Sequence, residues 1–239
     1  MLESPPLMLD IRANLGRVQE AVARACARAG RSPDHVLLIA VSKTMDVERV
    51  RLAVAAGVAA LGENRVQEAR EKIEALGHPV PWHLIGGLQT NKARDAARLF
   101  DWIHSVDRPE LAQELSRRAQ GLGRTLNILL QVNLGDEPQK GGVAPAETKR
   151  LCEAVAGLPG LRVGGLMAIP PAAPTPEGTR PHFRALRELR DRLGLEHLSM
   201  GMSADYEVAI EEGATMVSVG TAIFGPRQTL PRTEGERAR

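Results

Sequence analysis

Eight times along this chain, a short run of β-branched and leucine residues gives way to a longer segment with apolar residues every three or four positions. Runs such as 36–43 (VLLIAVSK) and 126–134 (LNILLQVNL) are apolar at nearly consecutive positions, which is how a strand buried on both faces of a parallel sheet reads. The other strands are expected at 58–63, 82–86, 102–107, 161–170, 197–203 and 216–225. Helices are expected between them, at 47–56, 64–76, 90–100, 109–120, 145–156, 181–193 and 206–212. A further helix at 9–29 precedes the first strand, with Ile11, Leu15, Val18, Val22 and Cys26 on one face and Gly30 as its stop. Such alternation can close into a barrel or open into a doubly wound sheet. The open sheet usually carries a glycine-rich turn after its first strand. Here that strand ends in SKTMD, without glycine, so the α/β fold expected is a single (β/α)8 TIM barrel over 1–225 with an extra N-terminal helix. Residues 226–239 have almost no apolar content and are expected to form a disordered tail.

Composition narrows the function. The formal net charge is only +2, and arginine and glutamate interleave along the helical segments, so no basic field for nucleic acid is expected. No apolar run approaches membrane-spanning length, and the start MLESPPLMLD lacks signal-peptide features, which points to a cytoplasmic protein. Cys26 and Cys152 both fall in helical patterns and are expected as buried free thiols. No histidine belongs to an HExxH pair or a metal-ligand cluster, so no metal is expected.

In a barrel of this class, function gathers at the C-terminal ends of the strands. Those ends hold Lys43, Glu63 with Asn64, His83 with Gly86, His104 with Asp107, Asn133, Met167, Ser203, and Gly220 with Thr221. Lysine occurs at only five positions, 43, 72, 92, 140 and 149, so a surface cation in this chain is usually arginine. An amine attacks a carbonyl only when neutral, and desolvation favours the neutral form. Lys43 closes the most apolar early strand and is a candidate Schiff-base former. Alternatively it snorkels to solvent or pairs with Glu63. Ser203, Gly220 and Thr221 lie where barrels of this kind often bind phosphate, in the loops after strands seven and eight. Ordinary turn chemistry, with Ser203 as an N-cap, is the other reading. His83 and His104 are more simply read as satisfied polar residues than as ligands.

Several motifs in one order carry a resemblance: AVSKT (40–44), LGENRVQE (61–68), WHLIGGLQTNK (82–92), VNLGDEPQKGG (132–142), GLMAIP (165–170), LSMGMSADYEVAI (198–210) and VGTAIFG (219–225). With these the chain resembles the YggS/PROSC family, the pyridoxal phosphate homeostasis proteins, over nearly its whole length. The resemblance implies an alanine-racemase N-terminal-like barrel holding pyridoxal 5′-phosphate. It further implies Lys43 as the Schiff-base lysine, Asn64 beside the cofactor ring, and Ser203, Gly220 and Thr221 around the phosphate. Lys140 matches a second lysine that handles cofactor entry or transfer. One position departs: where the family commonly has arginine before the Val/Ile-Gly-Thr segment, this chain has Ser218.

Three functions compete. The first, and the one expected, is a non-catalytic, monomeric pyridoxal phosphate carrier that serves intracellular cofactor homeostasis and passes the cofactor to dependent apo-enzymes. The second is a racemase-like enzyme, which needs a base on each face of its substrate. The sole tyrosine, Tyr206, falls in the helix after strand seven, and no second domain is evident to supply another. The third is a cofactor-free Schiff-base aldolase. That class typically places its lysine on a middle or late strand and gives Asn64 no role.

Overall fold

Eight parallel strands pair in sequence order and the eighth pairs back to the first, closing the barrel. The strands are β1 (Leu37–Val41), β2 (Ala60–Glu63), β3 (Trp82–Leu84), β4 (Trp102–Val106), β5 (Leu126–Gln131), β6 (Leu161–Met167), β7 (His197–Ser199) and β8 (Met216–Val219). The helices are α1 (Pro6–Arg28), α2 (Val47–Ala56), α3 (Val66–Leu76), α4 (Ala93–Leu99), α5 (Pro109–Gly121), α6 (Thr148–Ala156), α7 (Arg180–Leu193), α8 (Tyr206–Glu211) and α9 (Thr221–Phe224). The structure, a computed structural model, describes residues 6–135, 137 and 140–225. The tail expected at 226–239 lies outside the described residues.

The continuous apolar runs follow from burial on two sides. Along β1, Ile39 faces the barrel interior with Ala60, Leu129, Met167 and Met216. Its neighbour Ala40 faces the helices, in the large outer core with Leu61, Leu130 and Val217. Alternation at period two thus feeds two layers that are mostly apolar, so a strand such as β1 reads as a continuous apolar run. The helices turn one stripe to that outer layer. On α5, for example, Leu111, Ala112, Leu115 and Ala119 are buried.

The extra helix α1 is pinned beside the last units. Arg28 bonds Glu207 and Glu211 of α8 at 2.9 and 2.6 Å. Arg31 donates to the carbonyls of Ile210 and Ala214, and Asn14 to that of Ile223. Both cysteines are free; Cys26 is buried and Cys152 half-buried.

Seven of the eight strands stop earlier than their sequence suggests, β5, β6, β7 and β8 by three residues or more. β8 ends at Val219, because the Gly220 carbonyl accepts from the amides of Ile223 and Phe224, both at 2.9 Å, and starts α9. Ile223 and Phe224 then reach the outer core from a helical turn, not a strand. β7 ends at Ser199, because Gly201 at φ 93° reverses the chain. β5 ends at Gln131, after which Asn133 is diverted to hold the following loop. Its Nδ2 donates to the carbonyls of Glu137 and Lys140. Among the described residues, no helix is long and apolar enough to cross a membrane.

Candidate functional site

The parallel ladder runs on for a residue or two past the strand ends and builds a rim there. Ser42 N–H donates to the Gly62 carbonyl at 3.0 Å, Ile85 N–H to that of Glu63 at 2.9 Å, and Ser218 N–H to that of Gly201 at 3.0 Å. The rim encloses a cavity of about 330 Å³. Its walls are apolar at Val41, Ile85, Met167, Ile169, Met200 and Met202, and polar at Lys43, Asn64, Ser199, Ser203, Ser218, Gly220 and Thr221. Ile169 and Met202 are both strongly exposed, so the mouth has an apolar lip open to solvent. The sequence-predicted residues Lys43, Asn64, Ser203, Gly220 and Thr221 therefore all line one cavity. A second cleft of similar volume lies among Arg94, Arg98, Arg117 and Arg118 of α4 and α5. It is on the outer helical layer and shares no residue with the strand ends.

Lys43 sits two residues beyond β1, half-buried, on the side of Val41. Its backbone is held from both neighbours. On one side, Ser42 Oγ donates to Glu63 Oε1 at 2.6 Å, while the Ser42 carbonyl accepts from Lys72 Nζ at 2.6 Å. On the other, Thr44 N–H donates to Glu68 Oε1. Lys72 closes the arrangement with Glu63 and Glu68 at 2.6 and 2.8 Å. Thr44 is held at φ 65°, the one positive φ outside glycine among the described residues. A threonine adopts that conformation only when its surroundings impose it, and here Glu68 takes its amide. The expected alternative, Lys43 paired with Glu63, is thus overturned: Lys72 takes that carboxylate. Burial pushes the Glu63 carboxyl up, against the pull of Lys72 and of its hydrogen bonds.

Asn64 follows directly from β2, and its Oδ1 is buried without a hydrogen-bond partner among the described residues. It lies close against Gly86, where a Cβ would come within 2.3 Å of the Asn64 carbonyl oxygen, so only glycine fits there. Across the cavity the groups are different. Ser203 and Thr221 are exposed, with hydroxyls that bond to no described residue. Gly220 packs so near β1 that a Cβ would lie 3.2 Å from the Val41 carbonyl oxygen. Ser203 is not an N-cap: α8 starts after Asp205, whose carboxylate accepts from Met202 N–H.

Lys140 lies outside this cavity. It lines a neighbouring small cleft with Gln131, Asn133 and Gly141, and shares Ile169 with the main cavity. Its Nζ is 2.5 Å from Glu137 Oε2 and 3.3 Å from the Pro170 carbonyl.

Sequence reasoning missed Lys72, Glu68 and Ser199. Lys72 had one usable signal: it falls three residues after Ala69 and one before Ile73, on the flank of the buried stripe of α3. Ser199 had none, because its partner His104 is distant in sequence and meets it only inside the barrel.

Fold and site together define a class. A profile of the family described as alanine racemase, N-terminal domain, matches residues 13–228. Within that class, the pyridoxal phosphate homeostasis protein of Aquifex aeolicus (strain VF5) is 48% identical over 221 residues, covering 90% of this chain and 97% of that one. This chain belongs to the family of pyridoxal phosphate homeostasis proteins. Among solved structures, PipY of Synechococcus elongatus PCC7942 with PLP bound is 41% identical, with a TM-score of 0.76 over 86% of this chain and 100% of that one. An unknown protein from Bifidobacterium adolescentis is 37% identical, with a TM-score of 0.86 over 93% of this chain and 98% of that one.

Proposed function

We propose that this chain binds pyridoxal 5′-phosphate at Lys43 and holds it for delivery, as a monomeric cytoplasmic carrier that serves dependent apo-enzymes. The observation that carries the reading is the grouping in one cavity of an amine on a clamped backbone, an unspent buried acceptor at Asn64 and two unspent hydroxyls at Ser203 and Thr221. That set fits the cofactor: an amine for its aldehyde, an apolar wall for its ring, and hydroxyls with close backbone for its phosphate. The relative with PLP bound, at 41% identity, supports the same assignment.

When bound, the cofactor supplies an electrophilic carbonyl and an electron-withdrawing ring. The chain's own residues do the rest. Ser42 and Thr44, fixed by Glu63, Lys72 and Glu68, set the direction in which the Lys43 side chain leaves the backbone. Met200, Met202 and Ile169 offer apolar surface to a flat ring, and Ser203 and Thr221 donate hydrogen bonds to an anion. Lys140, bound to Glu137 at the adjoining cleft, serves entry and release of the cofactor, not its resting state.

The carrier reading is favoured over turnover by the same lining. Proton abstraction on both faces of a substrate needs two bases. Among the described residues that line the cavity, Lys43 is the only titratable one. Tyr206 is buried, its phenol pushed up by burial, and it lines the neighbouring groove.

The test is to add pyridoxal phosphate, record the visible spectrum, reduce with borohydride and map the modified lysine by mass spectrometry. The expected result is a yellow protein labelled at Lys43, a band that vanishes in Lys43→Ala, and no racemisation of amino acids. Label on Lys140, or none, overturns the assignment, and multiple turnovers of an amino acid overturn the carrier reading.

A further inference from the structure

Beneath the cavity, the barrel interior holds a polar chain that the lysine site does not use. His83 Nδ1 lies 2.9 Å from His104 Nε2, and His104 Nδ1 lies 2.9 Å from Ser199 Oγ. All three side chains are buried, and of the three only Ser199 lines the cavity. The His83 ring also stacks on Trp102, with centroids 5.8 Å apart, which fixes its plane.

Burial drives both imidazoles to the neutral form: His83 is pushed down to about 3, and His104 well below its ordinary value by burial and by its histidine neighbours. A neutral imidazole carries one N–H and one lone pair, so a chain of two of them has a direction. In one arrangement, His83 Nδ1–H donates to His104 Nε2, and His104 Nδ1–H donates to Ser199 Oγ. The Ser199 proton is then free to turn elsewhere. In the other, Ser199 donates to His104 Nδ1, His104 Nε2–H donates to His83 Nδ1, and the remaining His83 proton sits on Nε2. His83 Nε2 is buried and has no partner among the described residues. The second arrangement therefore buries an N–H with nothing to accept it, while the first buries only a lone pair. An orphaned buried donor is the rarer and costlier outcome. Ser199 Oγ–H also donates to no described residue, so in the first arrangement it is unspent.

We propose that Ser199 is a ligand-contacting donor on the cavity floor, its hydroxyl proton aimed into the cavity by His104 and His83, and that it serves an acceptor atom of the bound cofactor's ring. This rests on the pyridoxal phosphate reading above and adds a binding residue to it, with His104 and His83 as positioning residues. Among the described residues that line the cavity there is no carboxylate, so the floor offers hydrogen atoms and not negative charge. A ring atom that carries a proton of its own would find only the second lone pair of Ser199 Oγ and no charged acceptor, so the floor favours an unprotonated acceptor.

Two measurements decide it. Long-range proton–nitrogen NMR on the cofactor-free wild-type protein reads each histidine tautomer directly. Both His83 and His104 are expected as the Nδ1–H form, and an Nε2–H form at either overturns the proposal without reference to any cofactor. Titration with pyridoxal phosphate is then expected to show binding about tenfold weaker in Ser199→Ala, the size of one lost hydrogen bond. The visible band of the bound cofactor should shift in that variant and return to its wild-type position in Ser199→Thr, which keeps the hydroxyl. A merely structural Ser199 would not move that band. Wild-type affinity and an unshifted band in Ser199→Ala overturn the proposal. A wild-type protein that takes up no pyridoxal phosphate overturns the functional reading itself, a result distinguishable from either of the others.

Discussion

The two sides of the cavity are built by opposite means. On the β1–β2 side, Lys43 projects from a backbone tied down by charge: Glu63, Glu68 and Lys72 converge within 2.6–2.8 Å, and Thr44 is held at a positive φ. On the β7–β8 side the lining residues Ser199, Gly201, Ser203, Ser218, Gly220 and Thr221 are all uncharged, and glycines and hydroxyls set the surface. The difference follows from what each side must do. A side chain meant to form a covalent bond needs one direction of departure, and a buried ionic clamp enforces direction at some cost in desolvation. An anion held by N–H and O–H groups needs close approach and open hydroxyls, and charge there would slow its release.

The largest effect should come from breaking the charged side. Lys72→Met leaves Glu63 and Glu68 without their shared cation and frees the Ser42 carbonyl, which loosens the two carboxylates that hold Ser42 and Thr44. A buried pair that loses one partner typically costs about 3–5 kcal/mol, so the urea midpoint should fall accordingly. Borohydride labelling of Lys43 should slow as well, because the lysine no longer leaves the backbone at a fixed angle. Destabilisation with an unchanged labelling rate would show that the clamp holds the fold and does not aim the amine.

The two sides were also unequally legible in the sequence. Lys43 stood out because β1 is a nearly unbroken apolar run, and Ser203, Gly220 and Thr221 because they sit at strand ends near the chain's close. The partner of Glu63 did not stand out. Lys72 is one polar residue in a charged helix, and its burial depends on how closely α3 packs against the end of β1. The run 216–225 reads as one strand because valine and isoleucine favour strands, yet Ile223 and Phe224 reach the core from α9. Tertiary burial overrode propensity there. The barrel itself was readable, since most strand positions are apolar whichever face they take, but the polar chain His83–His104–Ser199 joins β3, β4 and β7 and leaves no periodic trace.

An intermediate effect is expected on the other side. Gly201 has φ 93°, and a Cβ there would lie 2.6 Å from Ala209 Cβ and 2.9 Å from Tyr206 Cα. Gly201→Ala must strain the turn or push α8 outward, at about 1–3 kcal/mol. Since the same turn carries Ser203, phosphate binding should weaken together with stability, whereas the rate of Lys43 labelling by pyridoxal, which has no phosphate, should hold. If pyridoxal labelling falls too, the two sides are mechanically coupled.

The smallest effect on stability, and the sharpest separation of the sides, belongs to Ser203→Ala and Thr221→Ala. Both side chains are exposed and bond to no described residue, so each change should shift stability by less than about 0.5 kcal/mol. Pyridoxal phosphate should nonetheless bind about tenfold less tightly to each, one hydrogen bond to an anion being lost. Pyridoxal is the control. It keeps the aldehyde that meets Lys43 and lacks the group that meets Ser203 and Thr221, so its binding should be indifferent to both substitutions and should still fail in Lys43→Ala. A loss of equal size for pyridoxal and its phosphate would move the phosphate away from Ser203 and Thr221, and the uncharged side of the cavity would then hold the ring.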